Sequence, residues 1–287
     1  MGRLIVNADD FGLTRGVNRA IVELHHAGLL TSATLMARAA ATEDAIAVAQ
    51  ATPSLGVGCH IVLVDGDPVL PASQIRSLMD RKTGQFLPTP GAFLQRLVLG
   101  NIDFTEVQAE CVAQIALLQS SGVQLTHIDT HKHMHMFPAV LRPILNAAHT
   151  AGIHAVRNPY EPAWSARATP GAPLTRRMQV GALRLLASVF RRVVVEHGFT
   201  TTDGAVGVLA TGTLDAATLT SLLQQMPEGR FELVTHPGYN DADLARVRTR
   251  LRDSRETERA ALKALRQFTQ IELISFAAAS SSRPGAS

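Results

Sequence analysis

The chain has 287 residues, of which 46% are hydrophobic and 18% are charged, a composition typical of a folded globular protein and not of a disordered one. Its formal net charge is +3, but the basic residues are not run together, which argues against nucleic-acid binding. Two cysteines, Cys59 and Cys111, argue against a disulfide scaffold and fit a reducing compartment.

Short apolar runs alternate with longer helical patterns along the chain. The runs predict strands at 4–8, 32–37, 55–63, 125–129, 154–158, 205–210 and 231–236. The longer patterns predict helices at 16–28, 42–51, 104–121, 138–151, 175–197, 214–226 and 242–269. Repeated β-then-α units predict a mostly parallel sheet, either open or closed into a barrel.

The ends of the chain and one internal segment are set apart by composition. The opening MGRLIVNADD has three consecutive apolar residues before the aspartates, too few for a signal-peptide core. No run of about 18 apolar residues predicts a membrane span, so we expect a cytoplasmic protein. We expect one domain over 1–276 and a disordered tail over 277–287. The Pro- and Gly-rich segment 64–102 is interpreted as an insertion or lid outside the core.

Residues that carry chemistry follow the predicted strands, at the edge where parallel α/β folds hold their ligands. They are Asp9 and Asp10 in NADD, His60 in GCH and His236 in THPG. One carboxylate and two imidazoles can hold a catalytic divalent metal with a position left for water. Asp10 would be the ligand and Asp9 the proton acceptor. Taken singly, each has a simpler explanation: a solvated turn for the aspartates, a hydrogen-bonded core position for His60 and a strand end for His236.

The stretch THIDTHKHMHM (126–136) is the strongest single indication of a site. On a continuous strand its polar side chains share one face: His127, Asp129, His131, His133 and His135. A half-buried strand does not ordinarily carry so many polar residues on its inward face, so the pattern favours a metal or catalytic site. The chain lacks a phosphate-binding glycine loop and a Gly-x-Ser-x-Gly elbow.

Taken together, NADDFG, GCHIVL, THIDTHKHMHMFP and THPG resemble the YdjC/ChbG-type carbohydrate deacetylases over residues 3–240. The resemblance implies a distorted (βα) barrel of parallel strands, related to polysaccharide deacetylases, and removal of the acetyl group from an N-acetylated amino sugar. The stretches at 60–75, 130–138 and 156–162 are similar to the hopanoid-biosynthesis branch, HpnK. For that branch the expected substrate is an N-acetylglucosaminyl hopanoid, a lipid-linked sugar.

The resemblance also implies roles for individual residues. The metal ligands fall on Asp10, His60 and His131, the general base on Asp9 and the general acid on His236. Further positions would orient the ligands or contact the sugar: His127, Asp129, His133, His135 and Arg157. Magnesium is the metal usually attached to the family, whereas the two imidazoles suit zinc. The implied reaction is metal-assisted hydrolysis of the acetamide.

Several alternatives stay open. The substrate could instead be a chitin oligosaccharide such as diacetylchitobiose, or the chain could be a non-catalytic sugar- or lipid-binding relative.

The basic amphipathic segment 175–198 is interpreted first as a core-facing helix, with peripheral contact to the inner face of a membrane as the alternative. The segment 242–269 is interpreted as a solvated helix. A homodimer is left open, and no nucleic-acid partner is expected.

Overall fold

The computed structural model describes residues 2–169 and 171–281. Within them, a sheet of seven strands has the order β4–β3–β2–β1–β6–β5, with β7 beside β1, and neighbouring strands are parallel. The strands are β1 Arg3–Phe11, β2 Ser32–Leu35, β3 Gly56–Ile61, β4 Leu125–Thr130, β5 Gly204–Val206, β6 Arg230–Thr235 and β7 Glu272–Leu273. The sheet curls into a half-barrel, so the expected α/β fold of parallel strands is confirmed.

Helices connect the strands, as the alternating pattern of the sequence predicts. They are α1 Arg15–His26, α2 Thr42–Ala51, α3 Pro90–Val98, α4 Phe104–Ser120, α5 Pro138–Thr150, α6 Ala163–Ala168, α7 Leu174–Leu183, α8 Ala187–Glu196, α9 Ala216–Gln224, α10 Ala242–Ala245, α11 Ser254–Ala261 and α12 Phe276–Ser281. Short 3₁₀ segments follow β4, α7 and α11, at His131–Met136, Arg184–Leu186 and Leu262–Gln267. None of the helices in the described residues is long and apolar enough to cross a membrane.

The predicted strand 154–158 is not a regular strand. It pairs through two isolated parallel bridges, Val156 with Ile128 of β4 and Ala155 with Thr200. The chain then turns at Asn158, whose side chain bonds the carbonyl of Thr202 and the backbone N–H of Tyr160. Pro159 follows and has no N–H to extend a ladder. The segment therefore lies beside β4 without lengthening the sheet.

The segment 64–102 belongs to the core, so the prediction that it lies outside was wrong. It contains α3 and an antiparallel bridge between Met79 and Phe86. Ile75, Leu78 and Phe93 are fully buried and join the main hydrophobic cluster. Its proline and glycine residues shape turns around this apolar interior, which composition alone does not reveal.

The C-terminal segment closes the end of the half-barrel opposite the carboxyl ends of the strands. Phe276 and Ala279 of α12 pack with Ile5 and Ala155 in a small separate apolar cluster. The Phe276 ring also stacks on the imidazole of His127, with centroids 3.9 Å apart. Residues 277–281 of the predicted disordered tail are thus helical, and its remaining residues, 282–287, lie outside the described residues.

Candidate active site

Polar side chains line the interior of the half-barrel on adjacent strands. Side chains alternate along a strand, and in-register neighbours in a parallel sheet point to the same side. Gly58 pairs with His127 and His60 with Asp129 across β3 and β4, so the two polar residues of β4 lie next to His60. Gly58 is needed here because a Cβ on it would lie 2.6 Å from the His127 ring.

The two consecutive aspartates of β1 reach the site through an irregular backbone. On a regular strand Asp9 and Asp10 would point to opposite faces. The register with β2 shifts between Ala8 and Phe11, and Asp10 has a left-handed φ of 63°. Such a bulge redirects a side chain and is common next to functional sites. Both carboxylates are therefore buried at the carboxyl edge of the sheet.

Asp10, His60 and His131 converge as a set of metal-ligand atoms. Asp10 Oδ1 lies 3.6 Å from His60 Nε2 and 3.3 Å from His131 Nδ1, and the two nitrogens are 3.3 Å apart. Donors at 2.0–2.1 Å from a tetrahedral zinc ion would be separated by about 3.3–3.4 Å. Among the described residues, Asp10 Oδ1 is buried without a hydrogen-bond partner. The donor set therefore fits a divalent metal, and the burial of an unpartnered oxygen favours one.

The second nitrogen of His60 and the second oxygen of Asp10 each bond a charged side chain. Asp129 Oδ1 lies 2.8 Å from His60 Nδ1, and Arg255 Nη2 donates to Asp10 Oδ2 at 2.5 Å. Burial alone would lower the pKa of His60, but the surrounding carboxylates, Asp129 above all, raise it to about 9. Burial alone would raise the pKa of Asp10, but Arg255 and His131 hold it well below its usual range. This arrangement leaves His60 Nε2 and Asp10 Oδ1 facing the same point.

Asp9 is held as a carboxylate by Arg157. Arg157 donates to both Asp9 oxygens, Nη1 to Oδ2 at 2.8 Å and Nη2 to Oδ1 at 2.5 Å. Asn7 and Thr34 also donate to Oδ1, so Oδ2 is the oxygen with free capacity to accept a proton. Burial opposes ionisation, but the Arg157 guanidinium holds the pKa of Asp9 far below its usual range.

Arg157 is itself fully buried and lies among three carboxylates. Besides Asp9, it pairs with Asp129, and its Nε donates to Glu232 Oε1 at 2.7 Å. Asp9, His60 and Asp129 form a second group of side chains close enough to share a metal ion. Because Arg157 already pairs with both of these carboxylates, their charges are balanced without an ion. Burial raises the pKa of Glu232 to about 7 despite Arg157. Arg157 orients site residues in this structure and is not exposed to a ligand.

His236 follows β6 and lies beside Asp9. Its Nε2 is 3.8 Å from Asp9 Oδ2, and its Nδ1 is 3.6 Å from Glu258 Oε2. Glu258 also accepts the His236 backbone N–H at 2.6 Å. Burial would lower the pKa of His236, but Glu258 and the nearby aspartates raise it. The charged form of the imidazole is therefore stabilised, as a proton donor requires.

β4 ends near the predicted boundary, so the histidine stretch does not continue as a strand with all its polar side chains on one face. The strand ends at Thr130, and left-handed φ angles of 56° at Lys132 and 54° at His133 turn the chain into a 3₁₀ segment. Left-handed backbone cannot continue a strand. His131 stays at the donor set, whereas His135 is buried behind it and bonds the Thr130 hydroxyl at 2.7 Å.

The remaining histidines of the stretch are neutral. His127 Nε2 lies 3.3 Å from Asn7 Oδ1 inside the half-barrel. Burial lowers the pKa of His127 and of His135 well below the usual value. His133 is half-buried, and desolvation together with the Arg157 charge lowers its pKa to about 3. These imidazoles can donate or accept hydrogen bonds without adding charge to the site.

Arg255 and Glu258 are site residues that sequence reasoning missed. The segment 242–269 was predicted to be one solvated helix, but it is divided into α10, α11 and a 3₁₀ segment. Arg255, Glu258 and Ala261 of α11 are buried on one face, and the first two hold Asp10 and His236. Their spacing of three residues places them on one helix face, but a mixed-charge helix looks the same in sequence whether that face is buried or solvated.

Fold and site together define an α/β half-barrel protein with an enclosed Asp–His–His donor group at the carboxyl edge of its sheet. The chain belongs to the YdjC-like protein family, which it matches over residues 3–270.

Several relatives of the chain are described as carbohydrate deacetylases. One from Thermoanaerobacter pseudethanolicus is 28% identical over 91% of this chain and 91% of its own length. The human relative is 32% identical over 83% of this chain and 75% of its own length. One from Brevibacillus brevis is 41% identical, but that match spans 51% of this chain and 55% of the relative.

A solved structure from Enterococcus faecalis, described as a cellobiose-phosphate cleavage protein, shares the fold. It has a TM-score of 0.77 and 24% identity over 96% of this chain and 97% of its own. The lactam utilization protein of Thermus thermophilus matches less closely, with a TM-score of 0.52 and 15% identity over 95% of this chain and 99% of its own.

Proposed function

We propose that this protein is a metal-dependent N-deacetylase that releases acetate from an N-acetylglucosamine-type sugar. The relatives support carbohydrate deacetylase activity. The observation that carries the metal dependence is the convergence of Asp10, His60 and His131 around an unpartnered buried oxygen. Two imidazoles and one carboxylate suit zinc or a similar first-row ion, and magnesium is the alternative from family resemblance.

In this proposal the chain's own groups move the protons. When bound, the cation would polarise the acetyl carbonyl and stabilise the oxyanion that forms on it. Asp9 Oδ2 accepts a proton from the attacking water, with Arg157 fixing the carboxylate. His236, whose charged form Glu258 stabilises, gives a proton to the departing amine. The 3.8 Å between Asp9 Oδ2 and His236 Nε2 brings both groups to one reacting amide.

For the substrate, we propose the N-acetylglucosaminyl group of a glycosylated hopanoid, in line with the resemblance to the HpnK branch. The sugar would then be attached to a lipid and reach the enzyme at a membrane surface. A homodimer is compatible with this proposal but is not required by it, because the proposed donors and proton-transfer groups all come from one chain.

The test measures acetate release from an N-acetylglucosaminyl hopanoid and from diacetylchitobiose, after chelation and reloading with zinc or magnesium. Asp9→Asn should lower turnover at least about 100-fold, because a general base contributes on this scale. Its metal content should match wild type, since Asp9 lies outside the proposed donor set. Asp243→Asn, on the exposed face of α10, is the matched control and should keep full activity.

Other outcomes separate the alternatives. A metal-loaded Asp9→Asn enzyme with wild-type activity would contradict the assigned base. Strong turnover of diacetylchitobiose without turnover of the hopanoid would instead identify a chitin-oligosaccharide deacetylase. Sugar binding without acetate release under any divalent ion would identify a non-catalytic binding protein.

A further inference from the structure

An apolar stripe runs along the outer surface of α7 and the start of α8. The helices are joined through the 3₁₀ turn Arg184–Leu186, and backbone angles on both sides of each junction are helical. The stripe consists of Leu174, Met178, Ala182, Leu185 and Val189, and all five side chains are exposed. Successive members are four, four, three and four positions apart, so they lie on one face of the joined helices.

The exposure of this stripe limits the prediction of a core-facing helix to the other side of α7 and to α8. Leu174 is 72% exposed, Met178 67% and Leu185 81%, and no residue of α7 is buried against the described chain. Leu183 at the end of α7 packs partly against the core, and Phe190 and Val193 of α8 are buried in it. Periodicity predicted an apolar face correctly, but in α7 that face is turned towards solvent. A contiguous exposed apolar surface of this kind indicates an interaction site.

The segment that carries the stripe is basic. Residues 174–196 contain five arginines and one glutamate, a net charge of +4, and three of the arginines, Arg176, Arg177 and Arg191, donate to backbone carbonyls of the chain. Arg184 and Arg192 are exposed beside the stripe. Apolar side chains on one face with arginines along their borders are typical of a helix that lies in the plane of an anionic bilayer surface.

The stripe begins at the end of the half-barrel that holds the candidate active site. Arg176, on the opposite side of α7, donates to the carbonyls of Val208 and Thr211 at 3.0 and 2.8 Å. These carbonyls lie in the loop that follows β5, at the carboxyl edge of the sheet. The first turns of α7 therefore lie on the same end of the molecule as Asp9 and Asp10.

We infer that the α7 stripe docks the protein on an anionic lipid surface with the mouth of the half-barrel turned towards the headgroups. A second copy of the chain is a poorer occupant, because a two-fold contact would bring the same arginine-flanked surfaces face to face. The inference rests on the proposed function in one respect: docking would present a lipid-linked sugar to the site. The binding itself does not require that activity.

The experiment is co-sedimentation of the full chain with vesicles of phosphatidylcholine alone or with 30% phosphatidylglycerol. Wild type should bind the anionic vesicles, and raising salt should weaken binding. The variant Met178→Ser/Leu185→Ser and the variant Arg184→Glu/Arg192→Glu should each lower the partition coefficient about tenfold or more. The matched control, Val98→Ser/Leu99→Ser, removes exposed apolar side chains at the C-terminal end of α3 and should bind as wild type does.

Two further measurements separate the explanations. Acetate release from a water-soluble acetylated sugar should be unchanged in both α7 variants, so a failure of the deacetylase proposal is visible apart from a failure of docking. No binding of wild type to anionic vesicles, or an equal loss in the α3 control, would overturn the inference. Light scattering that shows a wild-type dimer converted to monomer by Met178→Ser/Leu185→Ser would also overturn it, in favour of a second copy.

Discussion

Replacement of Glu232 by glutamine should make the metal-free protein more stable at alkaline pH. Glu232 is fully buried, and its Oε2 is without a hydrogen-bond partner among the described residues. Burial raises its pKa from 4.5 to about 7, even though Arg157 lies alongside. Arg157 keeps Asp9 and Asp129 as partners, so neutralising Glu232 does not leave a buried cation unpaired.

The size of the effect follows from the two pKa values. The folded protein holds the Glu232 proton to a higher pH than the unfolded chain does, so wild type loses stability as pH rises from 4.5 towards 7. A difference of about 2.5 in pKa corresponds to about 3 kcal/mol. Glutamine resembles the protonated acid and does not ionise. Glu232→Gln should therefore add about 3 kcal/mol to the free energy of unfolding at pH 8 and less than about 1 kcal/mol at pH 5.

Urea unfolding of chelator-treated protein at both pH values measures this difference. Glu272→Gln, at an exposed position of β7, is the matched control and should change stability little at either pH. If Glu232→Gln proved less stable than wild type at pH 8, the Glu232 carboxylate would be a net stabilising partner of Arg157. The reasoning from burial would then be refuted.

Three further predictions concern the groups behind the site. Glu258→Gln should lower kcat about tenfold or more with a smaller change in KM, because His236 loses the neighbouring charge that raises its pKa. Steady-state kinetics that show only a KM effect would contradict this. Asp129→Asn should weaken metal binding about 10- to 100-fold, measured by competition with a chelator, and unchanged affinity would argue against its role in orienting His60. Gly58→Ala should destabilise the fold by about 1–3 kcal/mol, because its Cβ meets the His127 ring; urea unfolding that matches wild type would show that the ring has room to move.

Most of the sheet and the chemical identity of the donors could be predicted from the sequence. Strand and helix periodicity depends on which side chains are apolar, and it placed six of the seven expected strands within a few residues. Parallel topology then brings strand ends to one edge, so Asp10 and His60 could be expected to lie near the histidine stretch. The choice of His131 within that stretch rests on the resemblance to the deacetylase family. The exceptions are segments where one or two backbone angles, rather than side-chain polarity, decide the path, as at Lys132 and His133.

Tertiary structure alone decided which polar groups face each other. The backbone at Asp10 turns two adjacent aspartates to one side, although a regular strand would separate them. Arg255 bonds Asp10 from 245 positions along the chain, and local sequence does not reveal that its helix face is buried. The same limit applies to α7, whose apolar face is turned towards solvent. A periodic pattern shows that a helix has an apolar side, but only the packing of the whole chain determines what that side contacts.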